Sequence, residues 1–244
     1  MPGSKALSLD EYLRLTRGRA FQVLAVVSLL AVYEAGILLT GSTRRNAADA
    51  LLRQAFGLLG EHGPTAFHAA LLLLFIAAAV FTIGRGRDVV TCMPPFLVET
   101  GLYAAMLSPA VFLLQEPFLE RPAEGLVLDI GAGVYEEIVF RYILIRGAFA
   151  LIGMDPWRTY FSSHGAWTER VGRIIWPLTV VVLISSFAFA VYHHVGPGGE
   201  PLAWGVFAFR ALAGLLLAGI FFARGLAAAV YTHAFYDVLV HFAA

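Results

Sequence analysis

Cysteine is almost absent from this chain: Cys92 is the single one in 244 residues. That excludes an intrachain disulfide and any multi-cysteine metal site. Cys92 stands beside Met93-Pro94-Pro95, where the prolines predict a loop edge, and no histidine lies near it in sequence. It reads as a bystander and not a nucleophile. Charge is scarce too, at 14% of residues where a soluble domain carries about a quarter. The formal net charge is zero, which removes any electrostatic case for a nucleic-acid partner. No linker, low-complexity tract, charge block or internal repeat divides the chain.

Apolar sequence fills the space that charge leaves. Hydrophobic residues make up 59% of the chain and the mean hydropathy is +0.75. A helical bilayer span takes about 20 mostly apolar residues. Seven stretches come close: 21–40, 64–83, 95–114, 126–145, 176–193, 202–222 and 226–242. The expected fold is an all-α, polytopic transmembrane bundle of about seven spans with a polar cavity inside the membrane. Residues 1–20 read as an N-terminal amphipathic, interfacial segment and 21–244 as one integral-membrane domain, its motif-bearing part at 126–244. The polar connection Met154–Arg173 is expected along an interface, and Gly196-Pro-Gly-Gly-Glu200-Pro201 is expected to be a tight turn. Lys5, Arg14, Arg17 and Arg19 precede the first span, and the loop charges favour a cytoplasmic N-terminus and an outward C-terminus. A bacterial cytoplasmic (inner) membrane, with lipids as partners, is the expected location.

The weakest spans hold ionisable residues, which are costly at membrane depth and mark ion paths or catalytic sites. Glu136 and Glu137 sit inside Val134–Arg141. On a helix Glu137 and Arg141 are four apart, acid first, the better order for an ion pair. Glu136 is turned about 100° away and is left for another task. His193 and His194 close the fifth span, where Ser185 and Ser186 permit close helix approach. Adjacent histidines face different ways, and His194 reads as an interface residue. His233 and Asp237, four apart, share a helix face. Each feature alone has a plain structural reading, a register-fixing ion pair or a satisfied hydrogen bond. Together they bring titratable groups from three helices toward one place. At a rise of about 1.5 Å per residue, Glu136 and His233 both fall near mid-membrane. Glu34, Glu99, Asp129 and Arg210 read as structural, with Glu99–Arg210 as an expected ion pair.

Glu136-Glu137-x-x-x-Arg141, Ser185-Ser186-x-x-Phe189-x-x-x-His193 and His233-x-x-x-Asp237, in this order, resemble the three signature motifs of the type II CAAX prenyl protease and bacteriocin-processing family, relatives of the Ras-converting enzyme. Gly214–Gly225 is also similar to that family, and the resemblance covers roughly the C-terminal half. It implies an intramembrane glutamic endopeptidase. Glu136 and His193 would activate a water, His233 would stabilise the oxyanion, Glu137 and Arg141 would brace the catalytic helix, and Phe189 would support the second motif. Asp237 departs from the usual Asn: an ionised carboxylate repels an oxyanion, so Asp237 is either protonated or orients His233. The resemblance implies no cofactor and a peptide or protein substrate. The family's eukaryotic precedent is a C-terminally prenylated peptide cut at a cytosol-facing site, whereas the loop charges point the cavity outward, toward exported proteins or C-terminal sorting tails.

Two other readings compete. Glu136, His193 and His233 form a reasonable ligand set for zinc, although no H-E-x-x-H motif is present. A non-enzymatic membrane protein, for bacteriocin immunity or transport, is the other class; against it, seven spans without a repeat do not divide into two halves.

Overall fold

The computed structural model describes residues 7–112, 123–155, 172, 175–195 and 199–243, and among them every regular element is helical. α1 is Leu9–Thr16, α2 Arg19–Thr40 and α3 Ala47–Gly57; a short 3-10 turn, Gly60–His62, leads into α4, Gly63–Phe112. α5, Ala123–Glu137, passes without interruption into a π-helical stretch, Ile138–Arg146, and then α6, Gly147–Leu151. α7 is Trp176–Tyr192, α8 Trp204–Arg224 and α9 Leu226–Ala243.

Among the described residues, four helical segments have the length and apolarity to cross a membrane: Arg19–Thr40, Gly60–Gly84, Gly86–Leu107 and Trp204–Arg224. Trp176–Tyr192 is apolar but shorter. The stretches at 126–145 and 226–242 are helical as well, in α5 with its π continuation and in α9; their ionisable residues make them the more polar members. Leu72, Leu73, Ile76, Val80 and Ile83 of α4 and Ile184 and Phe187 of α7 lie exposed, as suits side chains that meet lipid instead of water. The protein is an all-α, polytopic membrane bundle.

α9 is the innermost helix, packed against α2, α4, α5 and α8. Ala227, Ala228 and Ala229 are fully buried, and side chains this small let four neighbours close in. Phe21 of α2, Phe96 of α4 and Tyr231 of α9 stack edge to face, with ring centroids 4.8 and 5.5 Å apart. α8 turns into α9 at Gly225, whose φ of +93° is a glycine conformation. Gln22 closes that turn by accepting from the Ala227 N–H at 2.8 Å and donating to the Arg224 carbonyl at 3.2 Å.

Two expectations need correction here. Gly84–Pro95 is no loop: the helical backbone runs unbroken from Gly63 to Phe112, and Cys92 is fully buried within it. Cys92 and Phe96 stand four apart on one face, and their burial against α2 and α9 outweighs the bond lost at each proline, as neighbouring helices allow in membrane bundles. Nor do Glu99 and Arg210 pair: Glu99 binds Arg224, and Arg210 binds Glu200 at 2.7 Å. Most of the expected Met154–Arg173 connection, and part of the Gly196–Pro201 turn, lie outside the described residues.

Candidate active site

Close packing of α5 on α9 positions the two acids. A Cβ on Gly133 would lie 2.6 Å from the backbone nitrogen of Ala234, so only glycine permits this approach. One turn on, Glu136 and Glu137 meet the same stretch of α9. Both are buried, Glu136 at 3% exposure and Glu137 at 0%. The π-helical stretch begins at the next residue, an irregularity found often at functional sites.

Glu137 has partners on two sides. Arg141 Nη1 lies 3.0 Å from its Oε1, and His233 Nδ1 donates to the same oxygen at 2.9 Å. Arg141, itself fully buried, donates to the Gly214 carbonyl of α8 at 3.2 Å and lies 4.6 Å over the Phe189 ring. Ser185 ties α7 to the π stretch through the Phe140 carbonyl at 2.7 Å. Glu137 and Arg141 thus hold α5, α8 and α9 together and fix the ring of His233.

Glu136 is less satisfied. Its Oε2 is buried and has no hydrogen-bond partner among the described residues. It faces two imidazoles from two other helices: His193 Nε2 at 3.6 Å and His233 Nε2 at 3.9 Å. His193 sits at the C-cap of α7, half-buried, and its Nδ1 lies 2.8 Å from the Phe189 carbonyl. A carbonyl only accepts, so Nδ1 carries the hydrogen and Nε2 of the neutral ring presents a lone pair. Asp237 Oδ2 lies 3.4 Å from His233 Nε2. Phe189 packs edge-on to both rings, at 4.9 and 5.9 Å. Glu136, Glu137, Arg141, Phe189, His193, His233 and Asp237 thus form one cluster. His194 does not join it; its Nδ1 donates to the Glu200 carbonyl at 3.1 Å.

Two nearby residues escape a motif-based reading. Asn46, the N-cap of α3, donates from Nδ2 to Glu136 Oε1 at 3.4 Å. Tyr192 packs on Phe140 with ring centroids 5.4 Å apart, its hydroxyl buried and, among the described residues, without a partner. Tyr192 adjoins His193 in the second motif and could have been found there; Asn46 carries no such local signal.

Other ionisable residues in the bundle form separate pairs. Glu34 binds Arg45 at 2.8 Å and accepts from Tyr135 at 2.9 Å, and Asp129 meets His241 at 2.9 Å. Glu99 accepts from Tyr12, Tyr103 and Arg224. Burial, and then the Glu99 carboxylate, push the Tyr12 phenol well above its usual range. Among the described residues, no group of three or more His, Cys, Asp or Glu side chains is arranged to hold a metal ion.

A buried acid thus faces two imidazoles, beside a second acid locked to an arginine. No curated protein and no solved structure matches the chain. The family model for the Rce1-like type II CAAX prenyl endopeptidase matches residues 119–239, which include all three motifs. The segment 119–239 is thus an Rce1-like type II CAAX prenyl endopeptidase domain, of a family of membrane proteases.

Proposed function

We propose that this protein hydrolyses a peptide bond of a membrane-associated substrate with a water activated by Glu136 and His193. The observation that carries the proposal is the unpartnered Glu136 Oε2, 3.6 and 3.9 Å from two imidazole Nε2 atoms. Atoms at such separations are too far apart to bond directly and close enough for one water to bridge.

In the reaction Glu136 takes one proton from this water while His193 Nε2 accepts the other hydrogen in a hydrogen bond. The hydroxide oxygen bonds to the scissile carbonyl carbon, and the carbonyl π electrons move onto oxygen. His233 donates from Nε2 to that oxyanion. Its Nδ1 hydrogen is already committed to Glu137, so the ring serves in its doubly protonated form. Collapse breaks the C–N bond, and the proton held on Glu136 passes to the departing amine. Asp237, 3.4 Å from Nε2, helps to orient that ring. Glu137 and Arg141 keep the ring and the helices in place. The chemistry as written uses no cofactor.

The substrate class proposed is a peptide or protein with a prenylated C-terminal cysteine segment, consistent with the family description. Lipids surround the bundle, and Arg14, Arg17 and Arg19 before α2 support a cytoplasmic N-terminus in a bacterial inner membrane. The test is cleavage of a quenched fluorogenic farnesyl-cysteine peptide by protein in nanodiscs. Expected is turnover by wild type, unchanged after dialysis against strong chelator, and a loss of about a hundred- to ten-thousandfold in a folded Glu136→Gln protein. Full activity in that variant would remove the glutamate mechanism, and loss of activity on chelation would replace it with a zinc enzyme.

A further inference from the structure

Asn46 lies far outside residues 119–239, the part that matches the protease family. It is nevertheless in contact with Glu136, and its orientation is fixed from three directions. Its Oδ1 accepts from the Ala48 N–H at 2.8 Å, the capping bond that starts α3. With the amide oxygen so engaged, Nδ2 is the atom left to face Glu136, and it donates to Oε1 at 3.4 Å. The backbone N–H of Asn46 donates to the Tyr33 hydroxyl at 3.2 Å, and Tyr33 donates to Asp49 at 3.0 Å. Asp49 is fully buried and is gripped by Arg53 at 2.7 Å and Arg45 at 3.3 Å. A side chain held this firmly is a fixed donor.

We infer that Asn46 is a positioning residue for the proposed general base, supplied to the family-matched half by the N-terminal helices. A carboxylate has two nearly equivalent oxygens and rotates about its terminal torsion at little cost. The hydrogen bond from Asn46 breaks that equivalence. It occupies Oε1 and leaves Oε2, the oxygen without a partner, directed at His193 and His233. Without it Glu136 rotates away from the geometry that both rings share. The α3 capping residue therefore links the start of an amphipathic helix to the reacting carboxylate, 90 residues away. This inference rests on the reading of Glu136 as the base.

Serine and threonine cap helices about as well as asparagine, yet neither reaches Glu136 while bonded to the Ala48 N–H. Asn46→Ser and Asn46→Thr therefore keep the cap and delete the donor. Steady-state kinetics on the farnesyl-cysteine peptide, with thermal midpoints, separate the two roles. The expected result for both is a fall in kcat of about tenfold to a hundredfold, the range for losing a hydrogen bond to a charged group. KM should stay within twofold and the midpoint near that of wild type. If either variant folds poorly, the other is read. Wild-type kcat in a folded serine or threonine variant, with Glu136→Gln inactive in the same assay, overturns the role of Asn46 and leaves the base in place. Activity retained by Glu136→Gln removes the underlying mechanism instead. A lower midpoint with unchanged kcat shows a purely structural cap and also overturns the inference.

Discussion

Two glutamates inside this bundle have opposite surroundings. Glu99 has both oxygens occupied: Oε1 accepts from Tyr103 at 2.7 Å and from Arg224, and Oε2 accepts from Tyr12 and from Arg224 Nη2 at 2.8 Å. Arg224 in turn reaches Thr16 at 3.0 Å, so the network ties α1, α4 and α8 together. Among the described residues, Glu136 has a single hydrogen bond, from Asn46 at 3.4 Å, and an oxygen with none. A buried carboxylate wrapped in donors is already in its most stable arrangement and has little to offer a reaction. One left short of donors, facing imidazoles, keeps lone pairs for a proton. The first arrangement suits architecture and the second suits the chemistry proposed for Glu136.

Substitutions can break that contrast in a graded way. His193→Ala and His233→Ala carry the largest expected effects. Each should lower kcat on the farnesyl-cysteine peptide by about a hundredfold or more, with the unfolding midpoint little changed for His193 because it is half-buried at a helix end. Glu99→Ala should do the reverse. It strands Arg224 without its counter-charge and costs about 3 kcal/mol of stability, read as a lower denaturant midpoint, while turnover per folded molecule persists. Loss of turnover in a folded Glu99→Ala protein would show that the two acids are not separable in role. Tyr12→Phe removes one donor from the same network and should cost about 1 kcal/mol with activity intact. The smallest effect is expected for Asp237→Asn. An amide beside His233 Nε2 still holds the ring, so kcat should stay within about fivefold; complete loss would mean that the carboxylate charge is required.

The same contrast separates what could be read in the sequence from what could not. Glu137 with Arg141, and His233 with Asp237, are i,i+4 pairs, and helical periodicity alone places each on one face. Their meeting with His193, and the Rce1-like domain at 119–239, are legible through the three motifs in order. The helical bundle was legible from apolar runs. Pairings across the bundle were not. Arg224 and Glu99 are 125 residues apart and Asn46 and Glu136 are 90 apart, and no periodicity encodes which of several buried arginines a glutamate will choose. Arg210 was the plausible partner by composition, but its place on α8 lies toward Glu200, while Arg224 sits at the turn into α9 beside α1 and Gln22. Met93-Pro94-Pro95 reads locally as a break, and only tertiary burial of Cys92 and Phe96 keeps that stretch helical. Local chemistry survives in the sequence; long-range choice is made by packing.

A density map of the wild-type protein in lipid, detailed enough to place solvent, tests the central claim most directly. Expected is one ordered oxygen within about 3 Å of Glu136 Oε2 and of an imidazole Nε2 from His193 or His233. Carboxylate and rings in direct contact with no solvent between them, or a tetrahedral metal ion at that point, would contradict it.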